Sequence, residues 1–236
     1  SLHSFPTRRS SDLWLHIGVS GVLVHAVYLG GVFVAIKHGL PAGVTALVVG
    51  MQPLLTALGA GWLLGEKVSG RQWGGLALGF VGVGLVVSGK FREGAALGPM
   101  LVPALVALLG ITAGTLYQKR FCAQFDLRTG SVIQFVPTAI LTAIAVAWFE
   151  EFRIEWTPDF IFALGWLVLV LSLGAISLLN LLIRSGSAVN VASLFYLTPL
   201  STALIAWAVF GEKLTLTAAA GMLLAVSGVY LVARAK

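Results

Sequence analysis

The sequence predicts an all-α polytopic membrane protein with eight transmembrane helices. Three observations carry this expectation. First, 58% of the residues are hydrophobic and 10% charged, with a mean hydropathy of +0.97, whereas a soluble domain carries about 25% charged residues. Second, the charges are spaced so that eight stretches hold no Asp, Glu, Lys or Arg: 13–36, 38–65, 72–89, 94–118, 129–149, 160–183, 185–211 and 214–233. Each is close to or above the roughly 20 residues that a helix needs to cross about 30 Å of hydrocarbon. Third, one segment is written twice. MQPLLTALGAGWLLGEK around Pro53 recurs as LTPLSTALIAWAVFGEK around Pro199.

Composition also excludes several classes. The net charge of +6 comes from scattered single residues, so it is no nucleic-acid signal. Cys122 is the sole cysteine, which leaves no intrachain disulfide and no cysteine metal site. No cofactor is expected. The histidines lie at 3, 16, 25 and 38 and most acids in connections, so no catalytic cluster can be assembled and an enzyme is the weaker reading. Period-two alternation is missing, and spans this apolar must satisfy their backbone internally as helices.

The spans can be justified in order. The first places Gly18, Gly21, His25 and Tyr28 on one face. That face reads either as cavity lining or as a close helix contact in which His25 finds a backbone partner. The second contains Gln52-Pro53 and ends in Gly65-Glu66-Lys67; the third carries Gly74, Gly75, Gly79 and Gly82 as a packing seam. The fourth and fifth are 94–118 and 129–149. The sixth aligns Ser177 with Asn180, and the seventh aligns Asn190 with Ser193, followed by Tyr196, Thr198 and Pro199. The eighth repeats the seam as Gly221 and Gly228. Amides are costly in lipid, so Gln52, Asn180 and Asn190 should face inward, for solute or for interhelical hydrogen bonds. Pro53 and Pro199 free the carbonyls of Val49 and Phe195, to face a cavity, act as a hinge or form a static kink. Gly65-Glu66 and Gly211-Glu212 read chiefly as structural corners. Trp14, Trp62, Trp73, Trp148, Trp156 and Trp207 fall near the interfacial bands.

The two copies are five spans apart. An odd step reverses direction, which predicts an inverted-topology repeat. Placing the 66–71 loop in the cytoplasm puts Lys67, Arg71, Lys119, Arg120 and Arg184 on one side and leaves fewer bases opposite, so the C-terminus is expected inside.

A Pro-containing helix, Gly-Glu-Lys, a short turn and a Gly-spaced helix ending in GVGLVV or GVYLVA resemble the EamA type of the drug/metabolite transporter superfamily. The resemblance covers 14–236. It implies ten helices in two five-helix repeats, of which this chain matches helices three to ten: 14–90 as the last three of the first repeat and 94–236 as a complete second repeat. It also implies alternating-access transport, often export, of small amino-acid-like or drug-like metabolites across a bacterial inner membrane. Its partners would be a small-molecule substrate and the lipid bilayer, with a homodimer allowed. Residues 1–13 look like a translated sequencing adapter, a non-native leader before a chain cut ahead of Trp14; a short cytoplasmic tail is the plainer reading. An inactive truncated fragment or a packing subunit is the alternative function. The candidate solute path is His25, Tyr28, Gln52, Asn180, Asn190, Tyr196 and Thr198, with Pro53 and Pro199 as kinks.

Overall fold

The computed structural model describes residues 10–88, 98–122, 127–150, 154–210 and 215–235. The Gly211-Glu212 corner and most of the expected leader lie outside the described residues. Eight helical units follow one another: α1 (10–37), α2 (42–64), α3 (Gly70–Ser88), α4 (Gly98–Phe121), α5 (Leu127–Phe149), α6 (158–185), α7 (188–210) and α8 (Leu216–Ala233). No strand is present among the described residues.

Seven of these units contain a segment long and apolar enough to cross a membrane. The exception is α3, so seven candidate spans stand among the described residues where the sequence reading expected eight. Its 19 residues include Arg71, Gln72 and six glycines. It can be less apolar because much of its surface meets protein: Gln72, Gly75, Leu76, Gly79, Gly82 and Val83 are buried. By contrast, α6 leaves Leu169 and Leu173 exposed, as a lipid-facing helix does.

Four units are not plain α-helices. A π segment interrupts α1 at Val22–Val27 and α6 at Leu167–Ala175. The unit α2 breaks at Gly50-Met51, between Ala42–Val49 and Gln52–Leu64. The unit α7 tightens into a 3-10 turn at Leu194–Tyr196 before Leu197–Phe210. Pro53 and Pro199 both sit in the first turn of the downstream piece, where a missing N–H costs least. The kink therefore falls before each proline, not at it.

Helices α3 and α8 pack with almost no side chain between them. A Cβ on Gly75 would stand 2.7 Å from the Gly228 carbonyl oxygen, and one on Gly82 would stand 2.6 Å from that of Gly221. The low number meets the high one, so the two helices run antiparallel. Gly75 corresponds to Gly221 in the duplicated segment and Gly82 to Gly228. Each glycine thus meets the counterpart of its partner, the self-complementary pattern of a two-fold contact.

Long-range bonds define two ends of the bundle. At one end Arg120 donates to the Leu63 carbonyl, and Lys119 Nζ donates to those of Ile183 (2.8 Å) and Gly186 (2.5 Å). At the other, Lys37 pairs with Glu150. Gly65 adopts φ +67° and closes α2 in the left-handed conformation. It turns the chain so that Glu66 Oε1 accepts from the Ala188 backbone N–H at 3.1 Å, at the start of α7.

Candidate functional site

A cavity of ≈ 470 Å³ lies inside the bundle, walled by seven of the eight helices. Helix α1 contributes His25 and Tyr28 and continues through Val32 to Ile36. The broken unit α2 contributes Thr45, Val49 and Gly50, and α7 contributes Phe195, Thr198 and Pro199. Phe135 of α5 and Ser172 of α6 complete the polar and aromatic part of the wall. No Lys, Arg, Asp or Glu lines it. A larger depression of ≈ 570 Å³ between α1 and α5 is lined by apolar residues and Gly18, from Trp14 to Pro137. Without a hydroxyl, amide or imidazole in its wall, it has little with which to orient a polar solute.

His25 is 5% exposed, stacks on Phe135 with ring centroids 4.6 Å apart, and lies beside the Gln134 side chain. The π turn at Val22–Val27 carries it. Gly21, one turn earlier, lets α5 approach: a Cβ there would stand 2.5 Å from the Gln134 carbonyl oxygen. This close approach sets the neighbouring Phe135 against the imidazole.

The expected path residues separate into groups. His25, Tyr28, Thr198 and Pro199 line the cavity. Gln52 is 1% exposed and stands outside the wall, one turn from Thr56; neither side chain has a partner. Tyr196 packs on Gly79, where an added Cβ would lie 2.4 Å from its ring. Its hydroxyl is also buried without a partner. Asn190 accepts from Gln72 Nε2 at 3.4 Å and belongs to the Glu66 end. Pro53 is buried behind Val49 and Gly50, which form the wall instead.

Asn180 joins a closed ring of amides. Gln118 Nε2 donates to Asn180 Oδ1 (2.8 Å), Asn180 Nδ2 to Gln134 Oε1 (3.1 Å), and Gln134 Nε2 to Gln118 Oε1 (3.4 Å). Gln134 also donates to Ser20 Oγ (3.1 Å). Four helices, α1, α4, α5 and α6, are tied together in this layer. Gln118 and Gln134 are absent from the sequence reading, yet the same signal was there. Each is an amide near or within a charge-free stretch, like Gln52 and Asn180. Gln134→Leu leaves Gln118 and Asn180 each short of a partner, and membrane amide bonds average well below 2 kcal/mol each. We expect a loss of about 1–2 kcal/mol in stability, checked by thermal unfolding in detergent; Gln134→Glu should be worse, because it buries a charge.

An α-helical membrane bundle with an internal, charge-free cavity at two kinked helices defines an integral membrane protein of the solute-carrying kind. The chain belongs to the EamA-like transporter family, whose model matches residues 2–88 and 98–234. It is 30% identical over 226 residues to the "Uncharacterized transporter YvbV" of Bacillus subtilis (strain 168), covering 95% of this chain and 73% of that one. It is 28% identical over 201 residues to the "Uncharacterized inner membrane transporter YedA" of Escherichia coli (strain K12), covering 85% and 65%. A third relative from E. coli (strain K12), the "Probable amino-acid metabolite efflux pump", is 26% identical over 96% of this chain and 79% of its own length. The chain also matches a solved crystal structure with a TM-score of 0.76 at 22% identity, over 96% of this chain and 79% of that one, a likeness of fold. These relatives point to a transporter rather than an enzyme.

Proposed function

We propose that the protein is a secondary carrier that moves small organic solutes across a bacterial inner membrane by alternating access. The observation that carries this reading is the cavity, where the two copies of the duplicated segment place their kinks, at Val49-Gly50 and Phe195–Pro199, in one wall. Discontinuous helices from two inverted repeats, meeting at mid-depth, are a recurring arrangement in carriers. The antiparallel glycine seam of α3 and α8 supports the inversion and argues that α3 is an eighth span held between other helices. In this reading 14–90 and 94–236 belong to two related repeats.

The wall runs along α1 from His25 to Ile36, toward the end carrying Lys37. The opposite end is cross-linked by the amide ring, by Lys119 and Arg120, and by Glu66. These contacts support reading this as a state closed at the Glu66 end. The excess of Lys and Arg there supports a cytoplasmic placement of this end, with the C-terminus inside. The name of the third relative and the apolar wall favour amino-acid-like or drug-like solutes.

Reconstitution into proteoliposomes tests this directly. Saturable flux of radiolabelled amino acids or apolar amines, suppressed by Tyr28→Ala and by Thr198→Val, supports the carrier. Flux no greater than that of protein-free vesicles across such a panel overturns it.

A further inference from the structure

We infer that His25 is a proton-binding site coupled to the barrier at the Glu66 end: a proton on its imidazole draws Gln134 out of the amide ring and releases that end. The inference rests on the carrier reading and names its coupling ion. His25 stands in the cavity wall and beside the Gln134 side chain. It therefore joins the cavity to the ring that ties α1, α4, α5 and α6 together. The Gln134 amide is already committed, since Oε1 accepts from Asn180 and Nε2 donates to Gln118 and Ser20. A neutral imidazole offers one donor and one acceptor; an imidazolium offers two donors and no acceptor. The added N–H must find an oxygen, because a buried charge without a partner is costly. Gln134 Oε1 is the side-chain acceptor beside it. A proton taken from solvent in the cavity onto a ring nitrogen thus sets His25 in competition with Asn180 for that oxygen, and the ring loosens.

The surroundings leave this change of charge to His25. Tyr28, one turn on, is the other titratable side chain in the wall among the described residues. On α4, Tyr117 meets His16 Nδ1 at 2.5 Å, and Lys119 and Arg120 hold backbone carbonyls at the Glu66 end. The stretches 129–149 of α5, 160–183 of α6 and 42–64 of α2 contain no titratable residue. On α7, Tyr196 packs on Gly79, outside the wall. The duplication sets His25 apart in a second way. Shifted by the 146 residues that separate Pro53 from Pro199, the π turn Val22–Val27 falls on 168–173, inside the second π turn Leu167–Ala175. Such turns are frequent at functional sites. Both line the cavity, yet His25 of the first corresponds to Leu171 of the second. One copy alone therefore carries the proton site, on the helix that joins the ring through Ser20. A proton arriving from the Lys37 end favours opening at the Glu66 end and is released there, which is the sense of an antiporter.

The test follows the labelling of Thr198→Cys, on a Cys122→Ala background in proteoliposomes, by an impermeant maleimide added from the Glu66 side. Each rate is divided by that of Gly70→Cys, an exposed site beside the Glu66 corner, which carries the reagent's own pH dependence. From about pH 8 to about pH 5.5 the ratio should rise at least about tenfold, since one linked proton shifts an equilibrium by up to about tenfold per pH unit. His25→Phe keeps a ring to stack on Phe135 and removes the titration; His25→Gln serves if that variant does not fold. Either should hold the ratio flat at its high-pH value. Gln134→Leu should hold it near the low-pH value throughout, because the ring is then broken without a proton. A parent ratio that fails to rise as the pH falls, or one that rises equally in the His25 variants, overturns the proton site and leaves the carrier standing. A Thr198→Cys unlabelled from the Glu66 side at every pH, in the parent and in Gln134→Leu alike, overturns both readings.

Discussion

Gly82→Leu is expected to prevent the chain from accumulating as a folded, monodisperse protein. A Cβ at Gly82 would lie 2.5 Å from the Ala225 backbone nitrogen and 2.6 Å from the Gly221 carbonyl oxygen. Both are backbone atoms of α8 and cannot swing aside. The helices would have to part along their whole seam, where Gly75, Gly79, Gly221 and Gly228 meet with similar closeness. Membrane helices gain little from apolar burial as such, so this close backbone approach is the main source of their attraction. Overpacking costs about 1–3 kcal/mol where side chains can yield, and the cost should exceed that here. Gly74→Leu is the control. It lies one position from the seam, nothing stands within 4 Å of its Cβ, and it is exposed. Size-exclusion profiles of the two variants check the prediction; equal recovery would remove the seam from the account.

The second large effect is functional. Glu66→Ala should shift the protein toward a state open at the Glu66 end by about tenfold or more, the weight of one charge-assisted hydrogen bond. Glu66 reaches from the corner after α2 to the Ala188 N–H, the first turn of α7. Its negative charge suits the positive end of that helix. Nearby, Ser187 Oγ accepts from the Asn190 N–H, and Asn190 in turn accepts from Gln72. Lys119 fixes the same connection from below through Ile183 and Gly186. The carboxylate thus links the corner after α2 directly to the start of α7. A cysteine introduced as Thr198→Cys on a Cys122→Ala background reports the shift by its labelling rate with an impermeant maleimide added from the Glu66 side. Glu66→Ala should raise that rate, and Glu66→Gln, which keeps an acceptor, should raise it less. An unchanged rate would reduce the contact to a static corner.

Much of the fold was legible because charge is expensive in lipid. The charge-free stretches marked the helices, and only α3, packed against α8, falls short of the apolarity of a candidate span. Gly65 announced its left-handed turn, and each proline announced a kink close to where it falls. What could not be read were properties of rotation and pairing. Asn180 and Gln52 are both amides in apolar surroundings, yet one closes a ring with Gln118 and Gln134 while the other has no partner. Only the azimuth of each helix decides that. The π turns at Val22–Val27 and Leu167–Ala175 were not legible either, since they are set by backbone hydrogen-bond register and not by residue type. The cavity wall was the least legible part. It is made mostly of aliphatic residues, so residue type alone pointed also to Asn190 and Tyr196, which stand outside it.

Everything rests on the two copies lying in opposite directions across the membrane. Gly70 and Leu216 are equivalent positions of the duplicated segment, at the starts of α3 and α8, and both are exposed. Single cysteines at these two sites, on a Cys122→Ala background in sealed vesicles, can be labelled with an impermeant maleimide added from one side only. The account predicts that the reagent reaches one site and spares the other, with the pattern reversed when it is added from the opposite side. Labelling of both sites from the same side would contradict the inverted repeat and the carrier built on it.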